Sequence, residues 1–314
     1  MKPAFASLFA AVSVCTSLSA LAVRPGEVST TAETVCLYRA IAAQHPDPKL
    51  RNPDDIAHKL CRSKMPIAMG YVDARKQIDS MAERYAAYFY VNARTHYIDA
   101  ALKRAAAAGA TQVVVLGAGF DSRAYRFRAS LPAVRFFEVD LPATIEAKKS
   151  RIAEALGGLP DYVRYAPIDF NTQKLEDVLV AQGYDPKQKT FFILEGVVMY
   201  VVLPGVSATF DFIRNHSASG SSVVYDYVLQ PVIENKFDGY YGAAGTTVAV
   251  AAIGEPYVSG WTRPQAAAFL KKHRLVLVED VGEKELTERH LIGSDGQRDG
   301  RPIDWHRLIE ARVP

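Results

Sequence analysis

The sequence predicts an α/β protein built on a doubly wound, mostly parallel sheet with helical additions. Three observations predict it. Short apolar runs rich in β-branched residues alternate with helix-spaced segments between residues 113 and 281. The first run, Val113-Val114-Val115-Leu116, reads as a strand buried on both faces. Gly117-Ala118-Gly119 breaks it at once, and a glycine turn directly after a buried strand lets backbone approach a ligand closely.

The elements follow in order. Residues 1–23 carry Lys2, an Ala/Ser/Leu/Phe-rich run and a small-residue ending, Ser19-Ala20-Leu21-Ala22. That resembles a secretory signal peptide, and a non-targeting extension is the alternative. The serines and threonine make it too polar for a stable membrane span. The main domain is taken as residues 24–314. Residues 28–44 form an amphipathic helix, with Ser29, Thr30 or Thr31 placed to cap it and Glu33 within capping-box reach. Residues 45–53 (HPDPKLRNP) are a turn-rich break. Residues 54–69 form another helix, and residues 78–108 a long one. Its Tyr85, Tyr88, Phe89 and Tyr90 are assigned to core packing.

After the glycine turn, residues 121–128 are helical, and VRFFEV (134–139) is a second strand ending in Asp140. Residues 142–156 form a helix with Lys148, Lys149 and Arg151 on its solvated side. Residues 162–168 are the third strand, tipped by Asp169, Phe170 and Asn171. A short helix (175–181) precedes the fourth strand (190–194), which ends in Glu195-Gly196. A helix (206–215) leads to the fifth strand (221–229), with Asp226 near its end. Residues 230–260 are glycine- and alanine-rich with few charges, an inserted lid rather than sheet. A helix (261–273), a strand (275–281), a polar loop (293–302) and a closing edge strand (303–313) finish the chain.

Composition narrows the function. The chain has 314 residues, 49% hydrophobic, with a net charge of +3, which offers no electrostatic case for a nucleic-acid partner. Cys15, Cys36 and Cys61 are too few and scattered for a disulfide framework or a zinc site, and no metal is expected. His58 and Cys61 share a helix without a second half-site.

Right-handed crossovers place successive strand tips on one edge of the sheet. Asp140, Asp169, Glu195 and Asp226 therefore converge beside the glycine turn. An acid about 20 residues past the glycines is placed to accept from a ribose diol. Ser122 stands where a dinucleotide fingerprint has its third glycine. G-x-x-x-x-G-K-[ST] and G-x-S-x-G are both absent. An adenosine ligand without a pyrophosphate fits best, and S-adenosylmethionine is such a ligand.

The strings VVVLGAGFDSRAYRF, FFEVDLP, PIDF and ILEGVVMYV, in that order, resemble the leucine carboxyl methyltransferase family. More narrowly, they resemble its bacterial branch of S-adenosylmethionine-dependent O-methyltransferases. The resemblance covers roughly residues 28–226. It implies a Rossmann-like class I methyltransferase sheet of seven strands, one antiparallel, with N-terminal helices. It implies cofactor contacts from Arg39 on the first helix and from Arg94, the partner of the methionine carboxylate. A guanidinium fork suits that anion. Gly117 and Gly119 match the cofactor turn and Asp140 the ribose ligand. Asp169 matches the acceptor from the adenine amino group, the Phe170 N–H the donor to a ring nitrogen, and Glu195 the acid near the methionine amino group. Arg123 and Arg126 fit the family string and are assigned to bracing the turn. Asn52-Pro53 departs from the family's Asp-Pro, and residues 231–259 match nothing.

The expected reaction is in-line methyl transfer from the sulfonium to an oxygen, carboxylate or hydroxyl, of a small molecule or peptide. A carboxylate needs no base, whereas a hydroxyl needs one within reach. Asp226, Tyr227 and Tyr200 lie in segments facing the acceptor, and the sequence does not choose among them. The rival readings are a nicotinamide-dependent oxidoreductase and an inactive cofactor-binding relative. Cytoplasmic residence agrees with the cofactor's source. Export is the alternative if residues 1–22 are cleaved.

Overall fold

The structure, a computed structural model, describes residues 26–168 and 173–314. The proposed leader at residues 1–23, and Asp169 and Phe170, lie outside the described residues.

A helical region opens the described chain: α1 (Thr30–Ala42), α2 (Ala57–Leu60), α3 (Met65–Ala68), α4 (Tyr71–Ser80) and α5 (Ala87–Ala107). Ser29 caps α1, its side chain accepting from the Ala32 N–H at 3.1 Å. The expected helix over residues 54–69 is instead two single turns, α2 and α3. Cys61-Arg62-Ser63-Lys64 separates them, and Pro66 starts the second. The expected long helix over residues 78–108 starts only at Ala87. Residues 81–86 form turns that let α4 and α5 point differently.

Seven strands form one sheet: β1 (Gln112–Leu116), β2 (Arg135–Asp140), β3 (Val163–Pro167), β4 (Thr190–Leu194), β5 (Ser222–Val228), β6 (Val276–Val281) and β7 (His306–Arg312). Their order is β3-β2-β1-β4-β5-β7-β6. β1 to β5 run parallel, and β7 is antiparallel to both of its neighbours. The expected sheet class therefore holds. β7 is not the edge strand expected for residues 303–313, because it fills the slot between β5 and β6 and leaves β6 at the edge. Its residues are buried accordingly, from Leu308 to Ala311.

The connecting helices are α6 (Arg123–Arg126), α7 (Pro142–Leu156), α8 (Leu175–Ala181), α9 (Leu203–Asn215), α10 (Gln230–Ile233), α11 (Ala243–Ala252), α12 (Arg263–Lys272) and α13 (Glu283–His290). The capping box Thr262/Gln265 starts α12. α13 had no counterpart in the sequence reading, because its charged sequence EKELTERH carries one buried leucine, Leu286. Residues 230–260 do form helices rather than sheet.

Strand alternation divides the core in two. Val113 and Val115 of β1 face a cluster with α1 and α5, and Val114 and Leu116 face one with α9 and α12. The helix α7 carries a departure from expectation. Lys148 is not solvated but fully buried, with Nζ 2.9 Å from Glu138 Oε2 of β2. Arg151 is also drawn inward, pairing with Glu33 of α1 at 2.5 Å and lying over the Phe120 ring. Only Lys149 of the three behaves as expected, bonding Glu146 in solvent.

Candidate functional site

The glycine turn is held at both backbone groups of Ala118. The Ala118 N–H donates to the Val139 carbonyl at 2.9 Å, tying the turn to β2. Buried Lys148, paired with Glu138 of β2, donates to the Ala118 carbonyl at 3.4 Å. Gly117 has φ +68°, in the left-handed region, and a Cβ there would collide with Val197. Gly119 has φ +43°, and a Cβ there would approach Ala32 of α1 at 3.2 Å. These glycines leave room at the carboxyl end of β1.

Asp140 ends β2 facing that room. Its Oδ2 accepts from the Gly119 N–H at 2.6 Å and its Oδ1 from the Leu141 N–H at 2.7 Å. Burial pushes its pKa up against the pull of those two donors. Each oxygen keeps a lone pair, so further donors are accommodated.

Four guanidinium groups and five carboxylates form a continuous network under the turn. Arg39 sits between Asp54 at 3.1 Å and Glu195 at 3.8 Å, and donates to the Phe120 carbonyl at 2.8 Å. Arg94 of α5 bridges Asp226 at 2.5 Å and Glu195 at 3.1 Å. Arg123 holds Asp99 and Glu195, both at 2.7 Å, and Asp121. Arg126 pairs with Asp99 at 2.8 Å and lies 3.7 Å from Asp54. All nine side chains are nearly or fully buried. The count leaves one negative charge in excess. The Arg94 Nε and Glu195 Oε1 have close counterions but no hydrogen bond. Such buried, unsatisfied groups at a cavity wall suit a ligand that carries both donor and acceptor.

Asp226 is the deepest of the five. It accepts from the Gly196 N–H at 2.6 Å and from the Tyr90 hydroxyl at 3.3 Å. Burial opposes its ionised form. Arg94, the His306 ring and the Gly196 N–H outweigh that and hold its carboxyl well below the usual range.

A cavity of about 600 Å³ opens above these groups, and Arg39, Arg94, Gly117, Gly119, Asp140 and Glu195 all line it. Every sequence-assigned cofactor residue among the described residues is thus at one site. Tyr200 lines it too, its ring 5.3 Å from Tyr257. Tyr227 does not face the acceptor side. Strand alternation sends it to the opposite face of β5, where its hydroxyl donates to Asp280 at 3.3 Å. Asp226 lies beside the cavity but is engaged by Arg94 and Gly196. Arg123 and Arg126 brace the turn as expected.

The sequence reading missed Asp54, Asp99, Glu255 and His306. Asp54 and Asp99 carry no local signal, since each acts only through an arginine distant in sequence. Glu255 follows α11 and is buried against the start of α1. It accepts from the Thr30 N–H at 2.7 Å, the Thr31 N–H at 3.3 Å, the Ser29 hydroxyl at 3.1 Å and the Thr31 hydroxyl. It latches the lid segment onto α1, whose N-terminus favours a negative charge. Glu255→Ala is expected to cost about 1–3 kcal/mol in denaturant unfolding and to accelerate amide exchange at Thr30 and Thr31. Unchanged exchange at those amides would refute the latch. Cys36 and Cys61, unassigned from sequence, meet in the core with sulfurs 2.7 Å apart and join α1 to α2 as free thiols.

The leucine carboxyl methyltransferase family profile matches residues 32–214, more than half of the chain. YktD of Bacillus subtilis (strain 168), assigned by name and without proof as an S-adenosyl-L-methionine-dependent methyltransferase, is 30% identical over 203 residues. That alignment covers 62% of this chain and 64% of YktD, so the chain spans just under two thirds of that relative. SCO7813 of Streptomyces coelicolor carries the same assignment. It is 32% identical over 212 residues, 68% of this chain and 73% of that protein. Among solved structures, a DUF574 family protein of Streptomyces avermitilis MA-4680 superposes with a TM-score of 0.56 at 17% identity. It covers 87% of this chain and 100% of its own, which shows a shared fold.

Proposed function

Because this chain belongs to the leucine carboxyl methyltransferase family, we propose that it is an S-adenosyl-L-methionine-dependent methyltransferase acting on an oxygen of a small-molecule or peptide substrate. One observation carries the reading. The glycine turn, the ribose-ready Asp140 and the Arg94–Glu195 pair line a single cavity. The arginine–carboxylate network under the turn carries one surplus negative charge and Asp140 adds another, which suits a cofactor whose carboxylate, ammonium and sulfonium sum to one positive charge.

When bound, the cofactor supplies a methyl group on a charged sulfur already activated for displacement. Asp140 would hold the ribose hydroxyls, Glu195 the ammonium, and Arg94 and Arg39 the carboxylate. Asp169 and Phe170 lie outside the described residues, and their adenine role is the one the resemblance implies. Ala32 of α1 lies against Gly119 and Glu255 fixes the start of that helix, so the protein's contribution is positioning. The lid is assigned to residues 230–260 within a single domain of residues 24–314.

Location is part of the same proposal. Among the described residues no helix is long and apolar enough to cross a membrane. The cofactor's source favours cytoplasmic residence.

A thermal-shift titration tests the reading. S-adenosylhomocysteine at a hundred times its Kd is expected to raise Tm by about 4 °C, while NADH leaves it unchanged. Stabilisation by NADH alone would replace the methyltransferase with an oxidoreductase.

A further inference from the structure

Beyond Asp226 the cavity wall continues onto β7, at His306. This histidine is 5% exposed, and neither ring nitrogen has a hydrogen-bond partner. Nδ1 lies 3.7 Å from Asp226 Oδ2. The ring packs against Tyr90 at 4.9 Å and Tyr257 at 5.9 Å between centroids. Nδ1 faces Asp226, so the buried Nε2 is the ring nitrogen with a missing partner. The family-derived roles and the proposed cofactor contacts leave it unused.

Resting on the methyltransferase reading, we propose that His306 is the general base of the transfer and that the acceptor is an aromatic hydroxyl rather than a carboxylate. Three features converge on it. Asp226 beside Nδ1 favours the tautomer with the proton on Nδ1, leaving the Nε2 lone pair free to take a proton. The groups facing the ring are Asp226, Arg94, Tyr90 and Tyr257. Desolvation outweighs Asp226 and lowers the His306 pKa, so the ring is a neutral acceptor at neutral pH. The surrounding wall, Tyr90, Tyr200, Tyr257 and Ile303, is suited to a flat ring. A carboxylate here would meet Asp226, whose charge Arg94 and Gly196 already hold beside the ring.

The step balances. The acceptor O–H gives its proton to Nε2, and the oxygen's electron pair forms the new C–O bond. The carbon–sulfur bond breaks with its pair remaining on sulfur, giving a neutral thioether. The imidazolium then releases its proton to water.

The test uses full-length protein saturated with S-adenosylhomocysteine and 4-nitrophenol as the probe, because its anion absorbs in the visible. Bound probe is expected to show a phenolate-to-phenol ratio about tenfold above that in solution at the same pH. His306→Gln is expected to abolish the excess and leave S-adenosylhomocysteine affinity unchanged. An equal excess in the variant, or no binding of 4-nitrophenol to the complex, overturns the proposal. Should the variant not fold, the wild-type imidazole nitrogen resonances decide. A change to the imidazolium pattern on adding the probe supports the proposal, and no change overturns it. Failure to bind S-adenosylhomocysteine at all would instead overturn the methyltransferase reading on which this rests.

Discussion

Asp140→Ala is expected to weaken S-adenosylhomocysteine binding by a hundredfold or more, measured by isothermal titration. The carboxylate offers charged acceptors to two ribose hydroxyls, each contact worth about 1.5–3 kcal/mol. Two such bonds amount to at least about 3 kcal/mol, and each 1.4 kcal/mol is a factor of ten. The substitution also frees the Gly119 and Leu141 N–H groups, which Asp140 holds at 2.6 and 2.7 Å, so the turn itself loosens. Asp140→Asn keeps a neutral acceptor and should fall between the two. Circular dichroism identical to wild type, with affinity within threefold, would remove Asp140 from the ribose site.

Arg123→Met is expected to cost about 3–5 kcal/mol of stability, read by denaturant unfolding. The fully buried guanidinium contacts Asp99, Asp121 and Glu195 at once. Removing it raises the buried network's surplus from one negative charge to two and strips Asp99, Asp121 and Glu195 of a shared partner, and that uncompensated charge is the source of the loss. An exposed pair behaves differently: Lys76→Ala breaks the solvated contact with Asp73 and should leave the unfolding midpoint in place. The same network sets acid sensitivity. Burial alone would raise the Asp121 carboxyl, but Arg123, Lys148 and Arg39 hold it at about 2. Its folded-state pKa is below the unfolded value of about 3.9, so its contribution is present above pH 4 and lost as pH falls toward 2. Arg123→Met should flatten that acid limb. An unchanged limb would mean that the other cations hold Asp121 without Arg123.

The cofactor side of the site was legible because its residues sit at strand tips. A buried strand, a glycine turn and an acid some 20 residues on are local signals, and topology does the gathering. Asp140 and Glu195 were placed by that logic, with Arg39 and Arg94 added by resemblance. Lys148 was misread because a helical pattern shows which face a residue occupies, not that a glutamate on the neighbouring strand lies opposite. Glu138 is apolar-flanked in RFFEVD and reveals its partner only in three dimensions. The choice among Asp226, Tyr227 and Tyr200 was open because the side Tyr227 takes follows from the β5 register, one residue from Asp226. His306 was out of reach, since residues 303–313 read as an edge. The acceptor wall depends on where that strand inserts.

That insertion has a consequence for synthesis. Among the described residues β6 pairs within the sheet only with β7, and β7 is the strand that joins β6 to β5. A ribosome delivering this chain vectorially has released both flanking strands before the one that joins them. Until residue 312 clears the exit tunnel, β6 has no sheet to join and the nascent protein shows open hydrogen-bonding rims. Chaperone engagement should therefore persist until β7 has emerged.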